Sequence, residues 1–580
     1  MALPRRCVRG ITAAPLALVI WTAVILGCSG GGGSTGGSGG AAGSGGEGGT
    51  AGVAGSGGTA GDHGAQCAGG IYTGEFVESI EPDDAAVDVD PDAAVAFELS
   101  SCIDPTSVTE DTFSLVSESG LPVVAPIAVE GARATRSPEV PFALLETYDA
   151  DVMAGVLDCE GCDISEEVSW TFTIRDGAWD APELIETDEN GATTNVRVAV
   201  DAAGNGVAVW SQGDGTRTNV WANRFEDGAW GTAQLIETDD QGDAIGVRVA
   251  LGEDGDGVAV WAQWDGAQFS LWGSRFEAGV WASPVLIETD NTGNVFFPAL
   301  ALAPDGDGVV LWPQNDGDQT NIWSSRFVGG IWETRRLVES NDGFADSVDV
   351  SLSPSGDGFA VWLQSDGVRE NVWASRFQSG VWGEPEMIED EEPDSVSPPR
   401  IVADSQGRAV AVWSQLDGVR GDIWANRYSG GWRTAEAIEA LDGTAFDVEV
   451  DLDSSGDGFA VWVQQEEGVL SLFASRYSAG GDWSTPERIE EDDTGSAAVP
   501  YLCTGPLGNA MALWRQTVDG QARVWASRYA GGLWQEPLPI SAEGASATDP
   551  HCAVDLSSRV TTAWHRLDEG PLDVAASRFD

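Results

Sequence analysis

Three groups of residues in this 580-residue chain have types and spacings that could do chemistry. Asp254 and Asp256, and one unit later Asp305 and Asp307, stand in D-G-D-G turns, where paired carboxylates could take calcium. Asp and Gly are also what a tight hairpin requires, and the alternating oxygen ligands with a closing Glu of an EF-hand loop are missing. Arg217, Arg369 and Arg420 lie in D-G-x-R loops, and Asp188, Asp239 and Asp290 in the loops IETDENG, IETDDQG and IETDNTG. Alternate loops of an antiparallel sheet share an edge, so these six would line one polar, variable rim suited to a protein or glycan ligand. Cys159 and Cys162 form a CxxC, but a metal site would want a second pair or matching histidines, and His63, His551 and His565 do not supply them. Two carboxylates could hydrolyse a glycosidic bond. With 93 acidic residues in the chain, such pairing carries almost no signal.

The elements that must position these groups are written in a repeat. GVAVWSQGDGTRTNVWANRFEDGAW, beginning at Gly206, returns as GVAVWAQWDGAQFSLWGSRFEAGVW from Gly257. Trp179, Trp230, Trp281, Trp332, Trp382, Trp432, Trp483 and Trp534 mark one place in each unit at steps of 50 or 51 residues. A second column opens with Trp210, Trp261 and Trp312, and an arginine column with Arg224, Arg275 and Arg326. Within a unit, Glu183–Glu186, Val196–Val200, Val207–Gln212 and Val220–Phe225 are strand-length apolar runs, with a period of two at Val196, Val198 and Val200. Four short strands per unit of about 50 residues predict the blade of a β-propeller, here with eight blades over residues 176–580. The recurring aromatic faces fill the wedge between neighbouring blades, since each blade buries its faces only against another. A residue type that recurs in every blade argues for structure, and the recurring glutamates from Glu186 onward are the expected partners of the arginine column. Two ring closures are open: either no strand crosses the seam, or the strand near Glu183–Glu186 joins the blade made by the C-terminal residues.

The N-terminus, MALPRRCVRGITAAPLALVIWTAVILGC, carries Arg5, Arg6 and Arg9 ahead of an apolar run and reads as an export signal. Its last four residues, Ile25-Leu26-Gly27-Cys28, resemble the lipobox of bacterial lipoproteins, which implies lipid attachment at Cys28 and a place in the bacterial cell envelope, at the outer membrane or cell surface. Residues 29–70 are a Gly-rich tether that cannot bury apolar surface; about 40 such residues reach roughly 35 Å. The formal charge of −64, with every basic residue an arginine, excludes nucleic acid as a partner.

Residues 71–175 show alternating apolar residues and frequent Asp/Pro turns, which predict short strands. The P-x-x-x-A-V-D-V start, the A-V-A-F-E-L strand, D-P-x-S-V-T-x-x-T-F-S-L and the closing W-x-F-T resemble the surface-layer-type, SbsA-like, bacterial Ig-like domain. That resemblance implies a β-sandwich used as a spacer, with no catalytic residues to carry over. The G-x-A-V-W-x-Q-x-D-G hairpin of the repeat resembles fucose-binding propeller lectins, but the sugar-binding Arg and Glu of that motif would fall at Ala208 and Ala222. The D-A-A-G-N-G-V-A-V-W turn resembles the Asp-box of sialidases, without the R-I-P stretch and with a longer spacing to the tryptophan.

Six cysteines follow Cys28, and an even number in an exported chain predicts disulfides. Cys67, Cys102, Cys159 and Cys162 allow three pairings. Cys503 and Cys552 fall in corresponding strands of the last two units, at adjacent columns that face opposite ways, so they could bridge neighbouring blades for about 2–4 kcal/mol. The sequence therefore predicts an all-β chain, an Ig-like β-sandwich followed by an eight-bladed β-propeller. It is read as a non-catalytic binding or adhesion module with a protein or glycan ligand, attached to the membrane by its lipid. No cofactor is expected apart from calcium at the acidic turns. A glycan-active hydrolase, needing a convergent cluster of acids and a base, and a purely structural envelope protein are the alternatives; His551, His565 and Arg566 make the last unit the least regular.

Overall fold

The computed structural model describes the strand pair Cys67–Ala68 and Ile71–Tyr72, and residues 76–580 apart from 119, 121, 139, 164–166, 187–190, 239–241, 290–292, 316, 340–342, 390–394, 417, 440–441, 467, 491–494 and 569. The signal, Cys28 and the Gly-rich tether lie outside the described residues, as do Asp188, Asp239 and Asp290. No helix among the described residues is long and apolar enough to cross a membrane.

The first folded part is a sandwich of two four-stranded sheets. One runs Ala86–Val89, Val168–Ile174, Thr147–Val152, Phe113–Ser117, and the other Val77–Glu81, Val95–Leu99, Arg133–Arg136, Ile127–Glu130. Alternation along each strand sends Phe97, Phe113, Trp170 and Phe172 into the space between the sheets, where all four are buried. Cys102 and Cys159 are bonded with Cα atoms 5.5 Å apart, and Cys162 is disulfide-bonded as well.

Beyond Arg175 the chain forms eight four- or five-stranded antiparallel sheets among the described residues, in a propeller-like row. In the first, Thr193–Val200 pairs with Gly206–Gly213, which pairs with Thr218–Glu226, and Ala229–Trp230 and Gln234–Leu235 close its outer edge. Each first strand packs against the first strand of the next sheet, and Thr193–Val200 packs against both Ala244–Leu251 and Ser546–Val554. The sheets therefore follow one another around an axis, with their first strands innermost.

The last sheet settles the strand order left open by the repeat. Ser546–Val554, Val560–Leu567 and Leu572–Phe579 take Glu183–Leu184 as their fourth strand, with Glu183 opposite Ala576 and Leu184 opposite Ala575. Ala178 and Asp580 exchange backbone hydrogen bonds of 3.0 and 3.2 Å just before that pairing. The strand that opens each sequence unit thus belongs to the sheet before it.

The tryptophan columns do what their recurrence implies. Trp210 packs on Ala563, Val574 and Ala576 of the last sheet, and Trp261 on Val207, Val209 and Val220 of the first. Each is fully buried, removing roughly 200 Å² from water. Trp210 Nε1 donates to Gln212 Oε1 at 3.0 Å, and Gln212 Nε2 donates to Glu186 Oε2 at 3.0 Å. The same relay joins Trp312, Gln314 and Glu288, and Trp462, Gln464 and Glu439. The glutamates are thus partners of glutamine, not of the arginine column as charge alone suggested. Strand register explains this: Gln212 pairs with Asn219 and Val207 with Arg224, so Gln212 and Arg224 lie at opposite ends of the hairpin, about 15 Å apart at the usual rise. Arg224 instead meets Glu226 at 2.6 Å and Arg275 meets Glu277 at 3.1 Å, while Arg326 lies 3.4 Å from Glu333.

The sandwich docks on the edge that carries the turns between first and second strands. Leu144 N–H donates to Ser557 O at 3.2 Å, Ser557 Oγ to Pro141 O, and Arg175 Nη1 to the Asp580 carbonyl at 2.9 Å.

Candidate functional site

Each innermost strand is interrupted at the same place. Between Thr194 and Arg197 the pairing register slips by one residue, and equivalent slips follow Ile245, Asp346, Phe446, Ala498 and Thr548. The bulged residue has a left-handed backbone at Asn195 (φ 56°), Gly246 (67°), Phe297 (41°), Ser347 (54°), Asp447 (53°), Val499 (53°) and Asp549 (53°). A bulge re-aims the side chain that follows it. Two residues on, the eight strands carry Arg197, Arg248, Ala299, Asp349, Arg400, Glu449, Tyr501 and His551, and all eight line one cavity of about 450 Å³ on the axis. The tryptophan, glutamine and outer arginine columns repeat; this column does not.

The electrostatics of the cavity follow from burial of three arginines among three carboxylates, Asp349, Glu449 and Asp451. Arg400 Nε donates to both oxygens of Glu449, at 3.0 and 3.1 Å, and Glu449 holds the Arg400 guanidinium above its ordinary value. Burial raises Asp349, whose Oδ2 accepts Ile401 N–H at 3.0 Å. Asp451 is pushed up to about 7 by burial, against hydrogen bonds from Thr504 N–H (2.7 Å) and Leu452 N–H (2.9 Å). Burial also lowers Arg248 to about 9, assisted by the neighbouring Arg197. His551 is held well below the usual imidazole range by burial and by Arg197 and Arg248.

Tyr501 Oη and His551 Nε2 are 2.6 Å apart, with ring centroids at 4.1 Å. Because Val198 N–H donates to His551 Nδ1 at 3.3 Å, the neutral ring carries its proton on Nε2 and donates it to Tyr501. His565 is fixed in the same way: its Nε2 accepts Val196 N–H at 3.3 Å and its Nδ1 lies 2.9 Å from Thr193 Oγ1, which donates to Leu572 O at 2.9 Å. Next to the cavity Cys503 and Cys552 are bonded, Cα atoms 6.1 Å apart, joining the innermost strands of the last two sheets.

The residues picked from sequence lie elsewhere. Arg217, Arg369 and Arg420 are in loops joining second and third strands, on the rim opposite the sandwich; Arg217 Nε donates to Asn219 Oδ1 at 3.0 Å within its own hairpin, while Arg420 meets Asp422 at 2.8 Å and, beyond its hairpin, Asp442 at 3.2 Å. Asp254, Asp256, Asp305 and Asp307 are on the rim where the sandwich docks. Asp256 accepts Ala278 N–H at 2.8 Å and Asp307 accepts Gly329 N–H at 2.7 Å, while Asp254 and Asp305 accept within their own turns. No group of three or more His, Cys, Asp or Glu among the described residues is placed to hold a metal. Ala208 and Ala222, at the lectin motif's sugar-binding positions, are buried within the sheet.

Reading the sequence by what repeats passed over the axial column, since a column filled by Arg, Arg, Ala, Asp, Arg, Glu, Tyr and His has no repeat signal. The trace it left was negative: polar residues at one fixed place in a strand whose neighbours are aliphatic.

Residues 73–174 match the bacterial Ig-like domain family. No curated protein matches the chain at a significant level. Among solved structures, a protein of unknown function from Dyadobacter fermentans is 12% identical, with 70% of this chain and all of that chain covered and a TM-score of 0.37. The Dos1 propeller is 11% identical over 70% of this chain and 95% of its own, with a TM-score of 0.45. An ulvan lyase is 9% identical over 62% of this chain and 96% of its own, with a TM-score of 0.41.

Proposed function

We propose that this is a cell-envelope lipoprotein, lipidated at Cys28, whose residues 176–580 form a closed eight-bladed propeller acting as a non-catalytic binding module, with the Ig-like domain as its spacer. The observation that carries this reading is the axial column: eight innermost strands, seven of them with a left-handed bulge, bring Arg, Ala, Asp, Glu, Tyr and His side chains onto one cavity. Its volume lies within the range of small-ligand sites. The carboxylates there are committed, Glu449 to Arg400, Asp349 to a backbone N–H and Asp451 to two, which favours binding over acid-assisted hydrolysis. The hydrogen bond between Tyr501 and His551 favours a second reading, a glycan-active enzyme using that pair for proton transfer.

Full-length protein screened against arrayed glycans and envelope proteins tests the first reading. Ala299→Phe, which fills the cavity, should abolish retention, and Arg369→Ala on the rim should leave it intact; the reverse pattern moves the site to the rim. Release of new reducing ends or unsaturated products from a retained glycan, lost in His551→Ala, would establish the enzyme reading instead. Incorporation of labelled fatty acid, absent in Cys28→Ala, checks the anchor.

A further inference from the structure

We infer that the axial cavity takes the carboxylate or sulfate group of an acidic glycan, held by Arg197 and Arg248, with the sugar entering across Phe296 and Phe297. This rests on the reading of the propeller as a binding module with an axial site.

The cavity is lined by three arginines and three carboxylates, Asp349, Glu449 and Asp451, and two of the arginines have little to donate to. Of its three arginines, Arg400 is neutralised by Glu449. Among the described residues Arg197 and Arg248 form no ion pair: Arg197 Nη1 donates to Val196 O at 2.7 Å and Arg248 Nη1 to Val247 O at 3.0 Å. A guanidinium has five N–H donors in a planar fork matched to oxyanions, so most of the capacity of both residues is unspent. Two adjacent buried cations repel, and burial with mutual repulsion already lowers Arg248. An arriving anion relieves that repulsion. Tyr501 adds to the set: its oxygen accepts the His551 proton, which leaves its own hydroxyl hydrogen to donate. His551 stays neutral, so it contributes no competing charge.

The approach to these donors is aromatic on one side. Phe297 is the bulged residue of the third innermost strand, one residue before the cavity-lining Pro298, and is 57% exposed, with Phe296 beside it at 38%. Phe296 meets Phe269 in a tilted contact with centroids 6.1 Å apart, and Phe269 meets Trp264 edge-on at 5.3 Å, forming a continuous run of rings. No other innermost strand carries two aromatic residues at this place. Exposed rings of this kind offer flat faces to the C–H faces of sugars. At the opposite end of the axis, Val200, Leu251, Leu302, Leu352 and Val554 line the space together with Asp201, Glu253 and Asp555, a surface unsuited to an anionic entrant. The chain's formal charge of −64 repels a long polyanion from the outer surface, so the ligand is a short oligosaccharide or a chain end that places one anionic group.

The test is titration calorimetry of full-length protein with four probes: trigalacturonate, a sulfated disaccharide, maltotriose and hexaglutamate. The inference expects one or both acidic sugars to bind, at least tenfold weaker with Arg197→Gln or Arg248→Gln, and about tenfold weaker with Phe297→Ala. The two acidic arms separate carboxylate from sulfate, and an unchanged melting temperature confirms that each variant is folded. Maltotriose binding as well as the acidic sugars, or acidic-sugar binding unaffected by the arginine variants, overturns the inference while leaving an axial binding site in place. Hexaglutamate binding that depends on Arg248 but not on Phe297 overturns the glycan assignment. Absence of binding to all four probes overturns the inference, and if the array screen also retains nothing, the binding-module reading fails with it.

Discussion

The guanidinium of Arg578 lies 4.6 Å from the ring centroid of Phe225, so the last strand of the chain stacks on the third strand of the first repeat sheet. The same contact joins successive sheets elsewhere, Arg224 over Phe276 at 5.6 Å and Arg528 over Phe579 at 4.8 Å. At the seam the arginine is also buried, with Nη1 donating to Gly204 O at 2.6 Å and Asp555 3.4 Å away. Arg578→Ala is expected to cost about 2 kcal/mol, because it strips the buried Gly204 carbonyl of its donor and removes the contact with Phe225, while Asp555 keeps Arg559 at 2.8 Å. Arg224→Ala, whose partner Glu226 is half-exposed, should cost about 1 kcal/mol or less. Urea midpoints for the two variants check the ranking, and equal losses would show that the seam has no special weight.

The tryptophan–glutamine–glutamate relay predicts a second asymmetry. Gln314→Leu removes a donor to the buried Glu288 carboxylate and the acceptor of the Trp312 N–H together, and should destabilise the protein by about 2 kcal/mol. Gln314→Glu should be worse, since it places a second carboxylate 2.6 Å from the first, offset only by the partly exposed Arg335, whose Nη1 is 3.1 Å from the Gln314 oxygen. Thermal melts at neutral pH and at pH 4 separate the two effects: acidification should rescue the Glu variant and not the Leu variant.

Asp451 and His565 give stability a predictable pH dependence. Burial raises Asp451 from 3.8 to about 7, so its contribution is fully present below 3.8 and is lost as pH rises to 7. Burial lowers His565 from 6.5 to about 4, so its contribution is present above 6.5 and is lost as pH falls to 4. The two oppose each other between about pH 4 and 6.5. Asp451→Asn should therefore stabilise the protein by about 1–2 kcal/mol at pH 8, do little at pH 4, and steepen the loss on acidification below 6.5. Urea unfolding at pH 4, 6 and 8 reads this directly; a gain of equal size at all three would assign Asp451 no titration.

The Cys503–Cys552 bond closes a separation of 49 residues, which corresponds to about 4 kcal/mol of chain entropy in the unfolded state. The Cys503→Ala, Cys552→Ala double variant should lose about 2–4 kcal/mol. Reductant should lower the denaturant midpoint of the wild type by more than that of the variant. Because both cysteines line the axial cavity, the variant also shows whether ligand binding depends on that bridge.

Much of this architecture was legible because it repeats. Trp210, Trp261 and Trp312 recur since every sheet needs the same wedge filled, and Cys503 and Cys552 could be placed on facing columns by counting from those tryptophans. The partner of the glutamates was misread, because opposite charge suggests Arg224 while strand register, which a single sequence does not print, puts Gln212 within reach. Arg197, Arg248, Tyr501 and His551 were not legible as a group. They are about 50 to 350 residues apart and become neighbours only when the strands that bear them converge on one axis.

The docking of the sandwich on the last sheet governs how this chain would carry load. A pull on the N-terminal side reaches the repeat array at Asp176, next to the terminal residues that Glu183–Leu184 joins. Taken alone, that two-residue strand would peel, its bonds breaking one after another from the pulled end. The contacts of Arg175 with Asp580, of Leu144 with Ser557 and of Ser557 with Pro141 grip the same sheet at a second edge. Tension is thereby shared across the sheet instead of concentrating on its shortest strand, and the sandwich acts as a strain relief for the point where that sheet is fastened.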